Sequence, residues 1–152
     1  MLMKKMIFED LNEDIEIHNK LNPDLFDNNQ ILKPEIKEAI LNVANFFKED
    51  LKNDGLEISV EDIVLLGSNA SYNYTENSDI DIHIIVDTED IDCDEDILNI
   101  LFNAYKSLFN NKYDIHIKGY ETEVYVELNA INAQSNGIYS VLHDLWLKQP
   151  EL

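Results

Sequence analysis

"LLGSNASYNYTENSDIDIHIIVD" (residues 65–87) sets a Gly-Ser pair and a polar ten-residue stretch between two apolar runs, the second of which carries aspartates at 79 and 81. An ionised carboxylate inside an apolar strand must find a cation or take up a proton. Asp79 and Asp81 alternate with Ile80 and Ile82. Strand side chains alternate between faces, so both acids project from one side, roughly 7 Å apart along the strand. No lysine or arginine lies in the stretch to pair with them. That set of donors suits a hard divalent cation such as Mg²⁺, which prefers oxygen ligands. The plainer reading is that the two acids end a strand or pair with distant lysines.

The chain around this stretch has 152 residues, 45% of them hydrophobic, which is the size of one ordinary domain with a real core. Its 31 acids against 11 bases give a formal charge of -20. Such a field repels phosphate backbones at long range, so long nucleic acid is disfavoured as a partner. All eleven bases are lysine, so the bidentate guanidinium fork commonly used on phosphates is missing. The single cysteine, Cys93, excludes an internal disulfide and stands among acids that disfavour its thiolate. The N-terminal "MLMKKMIFEDLNED" has too short an apolar run for a secretory signal, and no later stretch has the roughly 20 apolar residues of a membrane span. The expected compartment is the cytoplasm, with no membrane partner.

Outward from the opening stretch, Leu11, Ile15 and His18 stand at helical spacing before the polar connector "LNPDLFDNNQ". In "KPEIKEAILNVANFFKEDLKNDG", Pro34 suits a first turn, Ile36, Ile40, Val43, Phe47 and Leu51 form one stripe, and Gly55 can close the helix. "DIVLL" reads as a buried strand and "DIDIHIIVD" as a longer one, with room for a helical turn between them. Acids at 89–96 precede a helix whose apolar stripe is Ile97, Ile100, Leu101, Ala104 and Leu108. "YDIHIKGYETEVYVEL" reads as a hairpin around Gly119. "NGIYSVLHDLWLKQP" reads as a last helix with Ile138, Val141, Leu142 and Leu145 on one face, stopped by Pro150. These elements predict an α+β fold, with residues 1–32 as an N-terminal extension packing on a core of residues 33–152.

A strand, "LLGS", ten residues and then "DIDI" in a second strand resemble the DNA polymerase beta-like nucleotidyltransferase superfamily, and in particular its small members carried by phages and bacteria. The resemblance covers roughly residues 33 to 147 and rests on the combination of both motifs at this spacing. It implies a small mixed β-sheet flanked by helices. It also implies metal-dependent transfer of a nucleoside monophosphate, most simply AMP, from a nucleoside triphosphate to a hydroxyl, with release of pyrophosphate. The cofactors implied are two Mg²⁺ ions, with the triphosphate, most simply ATP, as substrate. By resemblance Asp79 and Asp81 hold the metal and act in catalysis, while Gly67 and Ser68 grip the β or γ phosphate.

The superfamily usually has a third carboxylate on a neighbouring strand. Glu123 in "TEV" is the first choice, Asp114 in "YDIHI" the second and Glu127 the third. A glutamate there departs from the commoner aspartate, and Glu123 also fits the wet face of an edge strand. His83 shares the face of the aspartates and reads either as a base or supporting partner, or as a satisfied strand histidine. Lys106 and Lys118 are candidates for neutralising triphosphate, or surface lysines. Tyr72 and Tyr74 either stack on a base or pack a loop, and Trp146 reads as core or rim. The acceptor is open between a small molecule, favoured if cationic, and a protein. The alternative to an enzyme is a non-catalytic nucleotidyltransferase fold, a binding module or antitoxin-like subunit acting through a protein partner. A calcium loop in "DTEDIDCDEDI" is disfavoured by its lack of the central glycine and spacing. The oligomeric state is not legible.

Overall fold

The computed structural model describes residues 16–152. Its elements are α1 (Pro34–Asn53), β1 (Ser59–Leu66), a 3-10 turn (Ser68–Ala70), β2 (Ile80–Asp87), α2 (Glu95–Lys112), β3 (His116–Ile117), β4 (Tyr120–Leu128), β5 (Ile138–Ser140) and β6 (Leu145–Lys148). The strands form one mixed sheet in the order β3-β4-β2-β1-β5-β6. β1 and β2 are antiparallel, whereas β2 and β4 run parallel and are joined through α2, because a parallel pair needs a crossover. The fold is therefore the mixed sheet with helices that the family resemblance implies.

The period of two decides which residues go where. Ile80, Ile82, Ile84 and Val86 of β2, Ile63 and Leu65 of β1 and Val124 of β4 enter one core with residues of both helices. Ile36, Ile40, Val43, Phe47 and Leu51 of α1 are buried as the stripe predicts. Gly55, at φ 92, lets the chain turn back, and Leu56 N–H closes onto the Leu51 carbonyl at 3.0 Å. Leu21, Leu25, Phe26 and Leu32 belong to the same core. Among the described residues, the opposite face of the sheet has only a small apolar patch, Val64, Leu66 and Ile85 with Ile131, Ala133 and Ile138. The other odd-numbered residues of β2 and β4 stand beside that patch.

Three expectations are corrected. The final segment is the strand pair β5 and β6, not a helix. β5 pairs antiparallel with β1, through Val64 with Ser140 and Leu65 with Tyr139. A short helix there would have left the edge of β1 unpaired. Of its supposed apolar face, Val141 is buried but Leu142 and Leu145 are exposed. In α2 the buried residues are Leu98, Phe102 and Phe109. Ile97, Ile100 (72% exposed), Leu101 and Leu108 (66%) lie outside. The helix carries two apolar stripes about 100° apart, and periodicity alone does not say which faces the sheet. His18 is not helical, while Leu11 and Ile15 lie outside the described residues.

Other local expectations hold for visible reasons. Lys118 (φ 56) and Gly119 (φ 86) form the two-residue turn of the β3–β4 hairpin, a conformation matched to the strand twist. Asp94 caps α2, accepting from Asp96 N–H at 2.8 Å. Cys93 is exposed and free. Among the described residues no helix is long and apolar enough to cross a membrane.

Candidate active site

Asp81 lies within β2, in register with Leu66 on β1 and Glu123 on β4, so the sheet ladder itself sets Asp81 beside Glu123. Asp79 sits one residue before β2 on the same face. A carboxylate oxygen from each of Asp79, Asp81 and Glu123 lies within 4.8 Å of the others. None of the three appears among the ion pairs of the described residues. Burial first, and then repulsion from neighbouring acids, raises the pKa values of the two aspartates. Asp81 is raised to about 6, by burial first and then by the charges of Asp79 and Glu123. Asp79 is raised by burial, with Glu123 and Glu121 adding. Three converging carboxylates without a cation among them make a donor set suited to a hard divalent ion.

The other two choices for the third acid are elsewhere. Asp114 groups with His116 and Glu121 near the β3 edge, where all three are exposed. Glu127 is already engaged: one oxygen accepts from Asn132 and Ala133 N–H at 2.7 and 2.9 Å, and the other meets His83 Nδ1 at 3.1 Å. His83 is buried, and burial pulls its pKa down against the opposing pull of Glu127. Its ring stacks on Tyr125 at 4.6 Å, and Lys106 Nζ lies 4.8 Å over that tyrosine. Tyr125 was not anticipated. Its hydroxyl donates to Glu123 at 2.5 Å, and burial, that bond and the nearby acids raise its pKa far above the ordinary tyrosine range. The period-two face of β4 that contains Glu123 and Glu127 also contains Tyr125, so the signal was present in the sequence.

Gly67 and Ser68 form the turn beside these acids. Gly67 has φ 85, and a Cβ there would run into Asp81 Oδ2, so the glycine is needed by the acid as well as by the turn. Its N–H donates to Ser135 Oγ at 3.2 Å. Ser68 Oγ donates to Ser78 Oγ at 2.7 Å, tying the turn to the chain that enters Asp79. Lys118 is exposed in the hairpin turn. Tyr72 receives a bond from Gln30 Nε2 at 3.1 Å, and Tyr74 stacks on His18 at 3.9 Å, so both hold the segment before α1. Trp146 is half-buried, packs on Phe26 and Tyr139, and donates to the Gln30 carbonyl at 2.8 Å.

Comparison with known proteins adds an independent finding. The sequence model described as "Nucleotidyltransferase domain" matches residues 40–140, about two thirds of the chain. No curated protein and no solved structure gave a match. The matched region runs from α1 to β5 and contains the Gly-Ser turn, both aspartates and the strand bearing Glu123. On that match, the chain belongs to the nucleotidyltransferase domain family.

Proposed function

We propose that this domain transfers a nucleoside monophosphate from a Mg²⁺-bound nucleoside triphosphate, with ATP the simplest donor, to the hydroxyl of a small molecule or protein, releasing pyrophosphate. The observation that carries this reading is the convergence of Asp79, Asp81 and Glu123 with no ion-pair partner among the described residues. These three acids are the metal ligands, and Mg²⁺ bound there would stabilise the attacking and leaving oxygens of an in-line displacement at the α-phosphorus. In that displacement the acceptor oxygen bonds to phosphorus as the bond to pyrophosphate breaks, and the hydroxyl proton leaves to solvent or a nearby base.

The chain's own residues supply position. The β2–β4 register holds Asp81 and Glu123 side by side, and Tyr125 fixes one Glu123 oxygen so that the other keeps a constant direction. The Gly67–Ser68 turn lets phosphate approach the backbone where no Cβ intervenes, with the Gly67 N–H exchanging its bond to Ser135 Oγ for one to phosphate. Lys106, whose Nζ lies over the Tyr125 ring, is the residue assigned here to phosphate neutralisation. The acidic surface favours a cationic acceptor or a basic protein over long nucleic acid.

The test is calorimetric titration of each nucleoside triphosphate, with and without Mg²⁺, on the wild type and on Asp79→Asn/Asp81→Asn. Binding that needs Mg²⁺ and disappears in the double variant is the expected result. Absence of nucleotide binding by the wild type would overturn the enzymatic reading in favour of a module acting through a protein partner.

A further inference from the structure

The three acids are not held alike. Asp81 and Glu123 are locked in the sheet ladder, whereas Asp79 precedes β2, whose pairing with β4 begins at Ile80 with Thr122. Something other than the sheet must set its backbone. Asn69, in the turn after Ser68, is fully buried at 0% exposure. Its Nδ2 donates to the carbonyls of both Ser78 and Asp79, at 3.1 and 3.0 Å. Two carbonyl acceptors on that side fix which end of the amide is nitrogen. Its Oδ1 therefore faces the other way, and it accepts from Asn22 Nδ2 at 2.9 Å.

Asn22 is 1% exposed and comes from the segment ahead of α1. It also donates to the Tyr120 hydroxyl at 3.0 Å, while its Oδ1 accepts from Asp24 N–H at 3.0 Å. Tyr120 in turn donates to Asp24 at 2.8 Å. Both hydrogens and the oxygen of Asn69 are thus used. Gripping two consecutive carbonyls fixes the peptide planes on either side of the Asp79 backbone.

We infer that Asn69, backed by Asn22, is a positioning residue that aims the Asp79 carboxylate into the metal site, and that the segment before α1 thereby belongs to the catalytic machinery. This rests on the assignment of Asp79 as a metal ligand. Supporting partners that orient metal ligands commonly change metal affinity by about 10- to 100-fold when removed. Asn69→Asp keeps shape but replaces the two donors with acceptors facing carbonyl oxygens. Asn22→Ala leaves the donations of Asn69 in place and removes their backing, along with the bonds of Asn22 to Tyr120 and Asp24.

The experiment is Mn²⁺ binding by calorimetry to the full chain in wild type, Asp79→Asn, Asn69→Asp and Asn22→Ala. Leu128→Ala, a buried core truncation at the far end of β4, serves as a control, with every variant's stability measured by denaturant. Expected results are a loss of affinity of about tenfold or more in Asn69→Asp and a smaller loss in Asn22→Ala, with Leu128→Ala unchanged. If Asn69→Asp does not fold, Asn22→Ala carries the test. Wild-type affinity in the folded asparagine variants, alongside loss in Asp79→Asn, overturns the positioning role alone. So does a loss in Leu128→Ala equal to theirs, because the effect would then be general stability. Unchanged affinity in Asp79→Asn overturns the metal site itself.

Discussion

Replacing Asp81 with asparagine should stabilise the metal-free protein, and the size of the gain follows from its surroundings. The carboxyl is half-buried between Leu66 and Glu123, with Asp79 on the same face, and its pKa is raised from 3.8 to about 6. A folded-state pKa above the unfolded value means that the folded protein binds the proton more tightly. The contribution to stability is complete below about pH 4 and is lost as pH rises through about 6. Two units correspond to about 3 kcal/mol, but partial exposure screens the charge, and about 1–2 kcal/mol is the expected loss at pH 8. In EDTA at pH 8, Asp81→Asn should therefore exceed the wild type by about 1–2 kcal/mol, about 2–8 °C in Tm for a chain of this size. Near pH 4 the two proteins should coincide. Adding Mg²⁺ should reverse their order, since a ligand at 100 times its Kd stabilises the folded state by about 2.7 kcal/mol and the variant would bind it poorly. Denaturant titrations at pH 4, 6 and 8, with EDTA and with Mg²⁺, provide the measurement. A variant less stable than the wild type at pH 8, or a difference that does not change with pH, would refute the account of a carboxylate destabilised by burial and by its acidic neighbours.

Gly67→Ala should lose about 1–3 kcal/mol in denaturant titration, because its φ of 85 is unfavourable for alanine and the new methyl meets Asp81. Metal binding followed by calorimetry should weaken with it. Glu127→Ala leaves the His83 ring and the Asn132 and Ala133 N–H groups without their acceptor and should cost about 2 kcal/mol, yet leave Mn²⁺ affinity near wild type. Phe102→Ala, at a side chain only 1% exposed, should cost about 3–5 kcal/mol, whereas Leu108→Lys on the outer stripe of α2 should stay within about 0.5 kcal/mol. A larger cost for Leu108→Lys than for Phe102→Ala would mean that α2 presents its other stripe to the sheet.

What could be read beforehand was what depends on near neighbours in sequence. Alternation put Asp79, Asp81 and His83 on one face, and the Gly-Ser and Asp-x-Asp motifs together carried the family resemblance that implied the mixed sheet. Phase was harder, because α2 bears two apolar stripes and only the sheet it packs on selects Leu98, Phe102 and Phe109. The last segment failed for a related reason: residues 138, 141, 142 and 145 match helical spacing but fall on two short strands and the turn between them, and the open edge of β1 decided the matter. The support of the site was least legible. Asn22 and Asn69 are 47 residues apart, and neither type at either position announces a partnership. A buried amide is unfavourable unless every donor and acceptor is met. Their complete satisfaction beside Asp79, the one of the three converging acids outside the sheet ladder, is what the proposed positioning role rests on, since an apolar pair would fill the space but leave the two carbonyls unpartnered and the Asp79 backbone without an anchor.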